Sequence, residues 1–259
     1  MRSVLQQLLG GRRMKLTVIG YWGGYPGKNG ASSAYLIEKD GFHLMLDFGS
    51  GALAKLQQYK KATDLDAIII SHYHADHIAD IGVLQHALYV ENLLQQTEKM
   101  VDIYAHGENE YEFAKFADDY TRGFHYRPDE VLKLGPFFIR FIKTNHSVPC
   151  YGMRITDGES TIVYTADSAY QEEWIKFSKD ADLLLADTNF YAEQDGTEAG
   201  HMTSKEVGII AAEANVKELI LTHLPHFGDH QQLVKEAARE FFGKITLAEE
   251  GLTWQASEK

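Results

Sequence analysis

The sequence has one cysteine, few cations and no long apolar run, and each shortage excludes a class of protein. Cys150 cannot form an internal disulfide, so we expect a reducing, cytoplasmic setting. No stretch approaches the roughly 20 consecutive apolar residues of a membrane-spanning helix, and we expect no membrane partner. Lys and Arg total 25 against 37 Asp and Glu, which gives a formal net charge of −12. A general nucleic-acid binder needs a basic surface, so a long nucleic acid is not an expected partner.

What remains is the composition of an ordinary globular protein. Apolar residues make up 44% of the 259 residues, enough to bury a full core. No repeat or low-complexity linker interrupts the chain, so we predict one domain over residues 14–259. The first strand pattern begins at Met14. We expect residues 1–13 to be an extension that the native protein lacks; the alternative is an extra helical turn over residues 4–9, packed on the body.

Strand patterns and helical patterns alternate in each half of the chain. Apolar runs predict strands at 16–20, 34–38, 42–47, 66–71, 137–144, 153–155, 161–165, 183–186 and 218–222. Helical periodicity and capping residues predict helices at 77–99, 203–215 and 229–243, and a further helix that begins near 168–171. Two sheets packed face to face, with helices outside both, satisfy this α/β pattern, and doubly wound arrangements remain open.

One short segment concentrates metal-binding side chains. Residues 71–77 read SHYHADH and place three imidazoles and a carboxylate within six positions, directly after the most apolar strand pattern. These side chains are His72, His74, Asp76 and His77. Imidazole suits zinc-like metals, and a carboxylate adds a harder oxygen ligand. An irregular turn after a strand can aim all four into one space, so the segment predicts a metal site; the alternative is a His-rich surface turn.

Three further candidate ligands follow predicted strands. His146 comes after the strand pattern 137–144, Asp167 after 161–165 and His223 after 218–222. Each alone is more typical of a cap or a hydrogen-bonded polar group than of a ligand. Together they repeat one geometry, a titratable side chain where a strand delivers the chain to one rim of the sheets.

The same residues, in the same order, resemble the ligands of the metallo-β-lactamase fold superfamily of binuclear metallohydrolases. The resemblance covers residues 14–254 and includes Asp47 in the turn Leu46-Asp47-Phe48-Gly49. It implies an αββα four-layer sandwich that holds two zinc-class ions at the rim between its sheets. The implied ligands of the first ion are His72, His74 and His146. Those of the second ion are Asp76, His77 and His223, and Asp167 is implied to bridge both ions.

Within that superfamily the chain is similar to the ribonuclease Z-like phosphodiesterase branch. The motifs that carry this similarity are 164–168 (YTADS), 200–203 (GHMT) and 221–223 (LTH). The resemblance implies that His201 lies beside the metals as a proton donor and that Asp187 orients it, although Asp187 is equally a strand-end cap. Members of this branch are often dimers, which implies a homodimer. The long Gly/Pro-rich insertion with which ribonuclease Z grips tRNA is missing from the sequence, so tRNA processing is not expected.

The resemblance implies hydrolysis by a metal-bridging hydroxide, with Asp76 and His201 as catalytic residues. Imidazole ligands favour zinc, while manganese or iron could occupy the same cage. Two divalent ions with two carboxylates leave a net positive charge, which favours a small anionic substrate such as a phosphodiester or a nucleotide. The segment 21–28 (YWGGYPGK) carries Tyr21, Trp22 and Tyr25, which we expect to form a substrate-binding aromatic lid; these rings could equally anchor the loop to the core.

Two other functions remain open. The same hydroxide attacks carbonyl carbon, so a thioester or lactone hydrolase is the alternative enzyme. A chain that keeps the ligands without turnover would be a metal-binding sensor or interaction module. The complete ligand set favours an enzyme, because loss of catalysis usually leaves gaps in such a set.

Overall fold

Two seven-stranded sheets form the centre of the computed structural model, which describes residues 13–257. The strands of the first half are β1 Lys15–Gly20, β2 Ala34–Lys39, β3 Phe42–Leu46, β4 Ala67–Ile69, β5 Val101–Ala105, β6 Thr121–His125 and β7 Leu132–Leu134. Those of the second half are β8 Phe137–Lys143, β9 Tyr151–Thr156, β10 Thr161–Tyr164, β11 Leu183–Asp187, β12 Glu218–Thr222, β13 Lys244–Leu247 and β14 Thr253–Gln255. The strand orders are β14-β1-β2-β3-β4-β5-β6 and β13-β12-β11-β10-β9-β8-β7.

Helices lie between these strands along the chain. Within residues 13–257 the α-helices are α1 Ala52–Leu56, α2 Ala75–Ile78, α3 Ile81–Gln95, α4 Glu110–Phe113, α5 Glu173–Phe177, α6 Ser204–Glu213 and α7 His230–Ala237. Short 3-10 turns lie at Ala62–Asp64 and Ala114–Phe116. None of the helices in this part of the chain is long and apolar enough to cross a membrane. The expected extension, residues 1–13, lies outside the described residues except for Arg13.

Three hydrophobic clusters show how the layers pack. Alternate residues of a strand point to opposite faces, so Leu16 and Val18 of β1 enter one cluster and Ile19 enters another. The central cluster joins the inner faces of both sheets. The two outer clusters join each sheet to its own helices, for example Leu84 of α3 on the first sheet and Val207 of α6 on the second. The order of layers is therefore helix, sheet, sheet, helix, which confirms the predicted αββα sandwich.

The helix predicted over residues 77–99 is in fact two helices, α2 and α3. Between them Asp80 accepts hydrogen bonds from the backbone N–H groups of Gly51 (3.1 Å) and Leu53 (2.9 Å), at the start of α1. The two helices thus separate at a residue that bonds to a distant segment of the chain, although the apolar periodicity of the sequence continues through it. The predicted helix near 168–171 begins later, at Glu173, and the strands β5, β6, β7, β13 and β14 were not predicted.

One rim of the sandwich collects the carboxyl ends of the parallel strands. The strands β3 to β6 run parallel to one another in the first sheet, and β10 to β13 do so in the second. We call this the ligand rim and the opposite one the far rim. Asp47, Ala166 and His223, each beside a strand end at the ligand rim, have φ of +54°, +51° and +52°. This left-handed conformation is uncommon for non-glycine residues, and at functional sites it re-aims side chains.

Candidate metal centre

Three imidazoles converge where β4 and β8 deliver the chain to the ligand rim. His72 follows β4 and is fully buried, and His146 follows β8. His74 Nδ1 lies 3.1 Å from His72 Nε2 and 3.1 Å from His146 Nε2. The structure therefore brings the three predicted side chains together, with one nitrogen of each facing the same space.

A second group of donor atoms lies beside the first. Asp76 and His77 belong to α2, and His223 follows β12. Asp76 Oδ2 lies 3.1 Å from His223 Nε2 and 3.6 Å from His77 Nε2. Together with Asp167, these residues offer four ligand atoms that all lie within 4.8 Å of one another.

Asp167 stands between the two groups. Its Oδ2 lies 3.6 Å from His72 Nε2 and 3.4 Å from His223 Nε2. Its Oδ1 lies 3.2 Å from His77 Nε2. Asp167 therefore faces donor atoms of both groups, and its bridging of two ions stays a prediction.

The outward nitrogens of the imidazoles are held by a network around Asp47. Asp47 Oδ2 accepts hydrogen bonds from His77 Nδ1 (2.7 Å), Ser71 Oγ (2.8 Å) and the Tyr164 hydroxyl (2.8 Å). Because Ser71 Oγ gives its proton to Asp47, it is left to accept from His72 Nδ1 at 3.0 Å. Such partners fix the tautomer and ring orientation of a metal-binding histidine. Neither Ser71 nor Tyr164 was singled out from the sequence.

The Asp187 carboxylate at the end of β11 faces both His201 and His223. Its Oδ2 accepts from His201 Nδ1 at 2.8 Å, and its Oδ1 lies 3.3 Å from His223 Nδ1. The His201 ring lies 5.0 Å from the His223 ring and 5.3 Å from the His146 ring, between centroids. Burial alone would lower the pKa of His201, but the Asp187 carboxylate outweighs it and holds the pKa above its ordinary value. Asp187 thus orients His201, and it also accepts from the Ser168 N–H as a cap would.

The carboxylates of the ligand rim have imidazoles as their ionic partners. Within residues 13–257, no Lys or Arg nitrogen lies within 4.0 Å of four buried aspartates: Asp47, Asp76, Asp167 and Asp187. Burial alone would raise the pKa of Asp167, but His223 and His77 lower it to well below its ordinary value. Burial lowers the pKa of His77, yet Asp167 and Asp76 raise it to well above its ordinary value. The centre therefore favours positive charge at its middle.

Buried polar atoms without hydrogen-bond partners lie at the same place. His77 Nε2 and Asp167 Oδ1 are both buried, and neither has a hydrogen-bond partner among the described residues. A buried polar atom left unpaired costs about 1–3 kcal/mol. A cation between these two atoms would satisfy both, and a set of imidazole and carboxylate donors is the one that zinc-class ions take. The residues present fit divalent cations.

Glycines allow the backbone to approach the donor side chains. Gly200 has φ of +76°, and a Cβ there would lie 2.6 Å from His146 Nδ1, which donates to the Gly200 carbonyl at 3.0 Å. A Cβ at Gly23 would lie 2.8 Å from the His223 ring. The N–H of Gly24 donates to Asp76 Oδ2 at 2.7 Å. Loop 21–30 therefore touches the centre through its backbone, a contact that the sequence did not reveal.

The aromatic side chains of loop 21–30 occupy two environments. Trp22 and Tyr25 stack on His226, with ring centroids 4.7 Å and 3.7 Å away. Tyr21 is half-buried and packs against the central cluster and the outer cluster of the second sheet. Tyr21 thus anchors the loop, while Tyr25 is 60% exposed. A role of these three residues in substrate binding stays a prediction.

Comparison with known proteins gives the family. The family model described as "Beta-lactamase superfamily domain" matches residues 45–224. The chain is 53% identical over 243 residues to "Probable metallo-hydrolase YhfI" of Bacillus subtilis, covering 93% of this chain and 100% of that relative. This chain belongs to the metallo-β-lactamase fold family. The resemblance predicted from the histidine and aspartate motifs is therefore confirmed.

Solved structures and more distant relatives agree with this assignment. The crystal structure of the metallo-β-lactamase fold protein YhfI from Bacillus subtilis matches with a TM-score of 0.93 at 51% identity, covering 94% of this chain and 100% of that one. A ribonuclease Z of Methanosarcina acetivorans is 23% identical over 297 residues, covering 92% of this chain and 96% of the relative. A diphosphatase of the PhnP family shares the fold, with a TM-score of 0.74 at 19% identity, covering 95% of this chain and 98% of that one.

Proposed function

We propose that this family member is a binuclear metal-dependent phosphodiesterase that hydrolyses a small phosphodiester or nucleotide. The observation that carries the proposal is that Asp167 is shared by two converging groups of donor atoms. His201 lies beside both groups with its Nδ1 fixed by Asp187. A centre for two cations next to an oriented imidazole suits the cleavage of an ester at phosphorus.

Each proposed ion has its own donor set. His72, His74 and His146 would hold one ion, and Asp76, His77 and His223 the other. Asp167 would contribute to both. Zinc is the proposed metal, because five of these seven side chains are imidazoles. Manganese and iron accept the same donors and remain outcomes of metal analysis.

The chain's own residues position the reaction. Bound divalent cations would supply two things: a coordinated water with a pKa of about 7, and stabilisation of the charge that develops on the phosphoryl oxygens. Asp76 is proposed as a catalytic residue as well as a ligand. The Gly24 N–H fixes its Oδ2, which faces His223. His201 would protonate the leaving oxygen from Nε2, since Nδ1 is occupied by Asp187.

Charge supports a small substrate. The chain carries a formal net charge of −12, so a long nucleic acid would gain little from contact with its surface. Screening at physiological salt acts over about 8 Å, and a compact anion would therefore sense mainly the cations of the site. The homodimer and the cytoplasmic location stay predictions.

A substrate panel tests the proposal. The metal-loaded protein would be assayed with bis-p-nitrophenyl phosphate, cyclic nucleotides, a glutathione thioester and an acyl lactone. We expect turnover of the phosphodiesters that His74→Ala abolishes and that His125→Ala, a change at a half-exposed histidine on β6, leaves intact. Turnover of the carbonyl substrates alone would establish the thioester or lactone hydrolase instead. Metal binding without any turnover would favour the sensor or interaction module.

A further inference from the structure

Three rings form a stack on the loop that touches the candidate metal centre. The His226 and Tyr25 rings are nearly parallel, at 6°, with centroids 3.7 Å apart. The Trp22 ring is also nearly parallel to His226, at 10° and 4.7 Å. Aromatic stacking of this kind stabilises a pair by roughly 0.5–1.5 kcal/mol beyond its buried area. The stack joins two segments about 200 residues apart in sequence.

His226 also clamps the loop through its ring nitrogen. Its Nε2 lies 2.8 Å from the Tyr25 carbonyl and 3.1 Å from the Gly23 carbonyl. Carbonyl oxygens only accept hydrogen bonds, so Nε2 carries a proton and donates to them. Between these two carbonyls, the Gly24 N–H donates to Asp76 Oδ2. His226 therefore fixes the three-residue turn that contacts Asp76.

Tyr25 presents one ring face to solvent. The side chain is 60% exposed although His226 covers one face at stacking distance. The uncovered face is therefore open, one residue away from the Gly24–Asp76 hydrogen bond. The loop is held without this face, because Tyr21 packs against two hydrophobic clusters and the Trp22 backbone bridges to Ser32 and Leu224.

We infer that Tyr25 and His226 form a ring-binding platform at the edge of the metal centre. Tyr25 is a specificity-determining residue that stacks on a planar ring of the substrate, and His226 is the positioning residue that holds Tyr25 in place. The inference rests on the proposed function and narrows it to phosphate esters that carry a planar ring, such as a nucleobase or an aryl group. Stacking on an exposed aromatic ring tolerates any base, so it selects for a ring and not for a sequence.

Paired competitive inhibitors test the platform. AMP and ribose 5-phosphate differ by the base, and phenyl phosphate and methyl phosphate differ by an aryl ring. We expect Tyr25→Leu to raise the inhibition constants of the ring-bearing members about tenfold and to leave those of the other two unchanged. Tyr25→Phe, which keeps the ring, should retain the wild-type values. A shift with AMP alone identifies the base as the ring, and a shift with phenyl phosphate alone identifies an aryl group.

His226 variants test the positioning role. For a ring-bearing phosphodiester, His226→Ala should raise KM more than it lowers kcat, and His226→Phe should recover part of the loss because it restores the stacking surface. The matched control is Phe227→Leu at the adjacent exposed ring, which should change neither constant. Metal content should stay at the wild-type value in all three variants.

The failures of the two proposals are distinguishable. If phosphodiesters are hydrolysed but Tyr25→Leu shifts all four inhibition constants equally or shifts none, the platform is wrong and the proposed function stands. If no phosphodiester is hydrolysed while AMP still binds in a Tyr25-dependent way, the proposed function is wrong and the platform stands. Equal changes in Phe227→Leu and Tyr25→Leu would also overturn the platform.

Discussion

Carboxylates at the two rims of the sandwich have different ionic partners. At the far rim, carboxylates pair with lysines: Lys15–Glu38, Lys39–Asp157, Lys217–Asp182 and Lys244–Glu218, at 2.6–3.2 Å. At the ligand rim, four buried aspartates face imidazoles, and no lysine or arginine within residues 13–257 pairs with them. Lys143 and Glu108 form a pair of the ordinary kind at the ligand rim, at 2.9 Å, so the difference concerns the four buried aspartates. Their negative charge is left for a cation that is not a lysine or arginine of residues 13–257.

This difference separates structural charge from functional charge along single strands. β11 has Asp182 just before its start and Asp187 at its end. Asp182 accepts from Lys217 and from the Thr161 N–H, which ties neighbouring strands together. Asp187 accepts a hydrogen bond from His201 and faces His223 at 3.3 Å. An aspartate thus joins neighbouring strands at one end of β11, and another aspartate orients a histidine of the candidate centre at the other end.

The largest expected effect is that of Asp167→Asn compared with Asp157→Asn. Asp167 lies between both donor groups, so the amide should eliminate metal binding at one position at least and reduce hydrolysis to background. Asp157→Asn removes a carboxylate of the far rim and should retain full metal content and activity. Elemental analysis and steady-state assays of the two purified variants measure this. Wild-type metal content in Asp167→Asn would contradict the shared role.

His201→Ala should lower kcat by about 10²- to 10⁴-fold and leave the metal content unchanged. The reason is that the imidazole acts as proton donor without belonging to either donor set. Because Asp187 raises the pKa of His201, the protonated form persists to higher pH than in an ordinary histidine. The wild-type rate should therefore fall on the alkaline side, and the variant should lack that limb. Loss of metal together with activity would mean that His201 is a ligand.

Asp187→Asn should lower activity by about 10- to 100-fold, the range found when a group that orients a metal ligand is replaced. The amide removes the negative charge that faces both imidazoles, and the pKa of His201 should therefore fall towards its ordinary value. The alkaline limb of the rate profile should then move to lower pH. The matched control is Asp182→Asn, just before the same strand, which should keep the wild-type profile. Equal profiles in the two variants would refute the orienting role.

The smallest expected effect concerns stability at the far rim. The side chains of Lys39 and Asp157 are 9% and 1% exposed, and they join the first sheet to the second. Lys39→Met should lower the free energy of unfolding by about 1–3 kcal/mol because it leaves a buried carboxylate unpaired. Urea unfolding of the metal-loaded variant measures the loss, and Lys205→Met, at an exposed residue of α6, is the control.

The same pair predicts a pH dependence. Burial alone would raise the pKa of Asp157, but Lys39 and two backbone N–H groups hold it below its ordinary value. A lowered folded-state pKa contributes stability above the unfolded pKa of about 4, and this stability is lost as the pH falls through the folded value. The difference in stability between wild type and Asp157→Asn should therefore shrink below about pH 4. A difference that grows on acidification would have the wrong sign.

The sequence predicts those features of the fold and the site that depend on residues close together in the chain. Residues 71–77 are contiguous and follow a strong strand pattern, so their convergence was foreseeable. The strand-end positions of His146, Asp167 and His223 follow from the rule that parallel strands end at one rim. The family resemblance supplied the division of ligands between two ions, and that division stays a prediction. The structure shows that the side chains of each proposed set lie together.

What the sequence could not predict depends on contacts between distant segments. The Tyr164 hydroxyl reaches Asp47 across 117 residues, and His226 reaches Tyr25 across 201. The break between α2 and α3 lies at Asp80, which accepts from the N–H groups at the start of α1. The periodicity of the sequence around Asp80 does not reveal this contact. The strand β14 has only three residues and forms by pairing with β1 from the other end of the chain. Short strands of this kind carry too little pattern to be recognised alone.

The most direct test of the central claim is element-specific anomalous diffraction from crystals of the metal-loaded protein. Two peaks are expected on either side of the Asp167 carboxylate, each about 2.0–2.1 Å from the nitrogens of its own histidines. A single peak, or peaks away from the ligand rim, would contradict that claim.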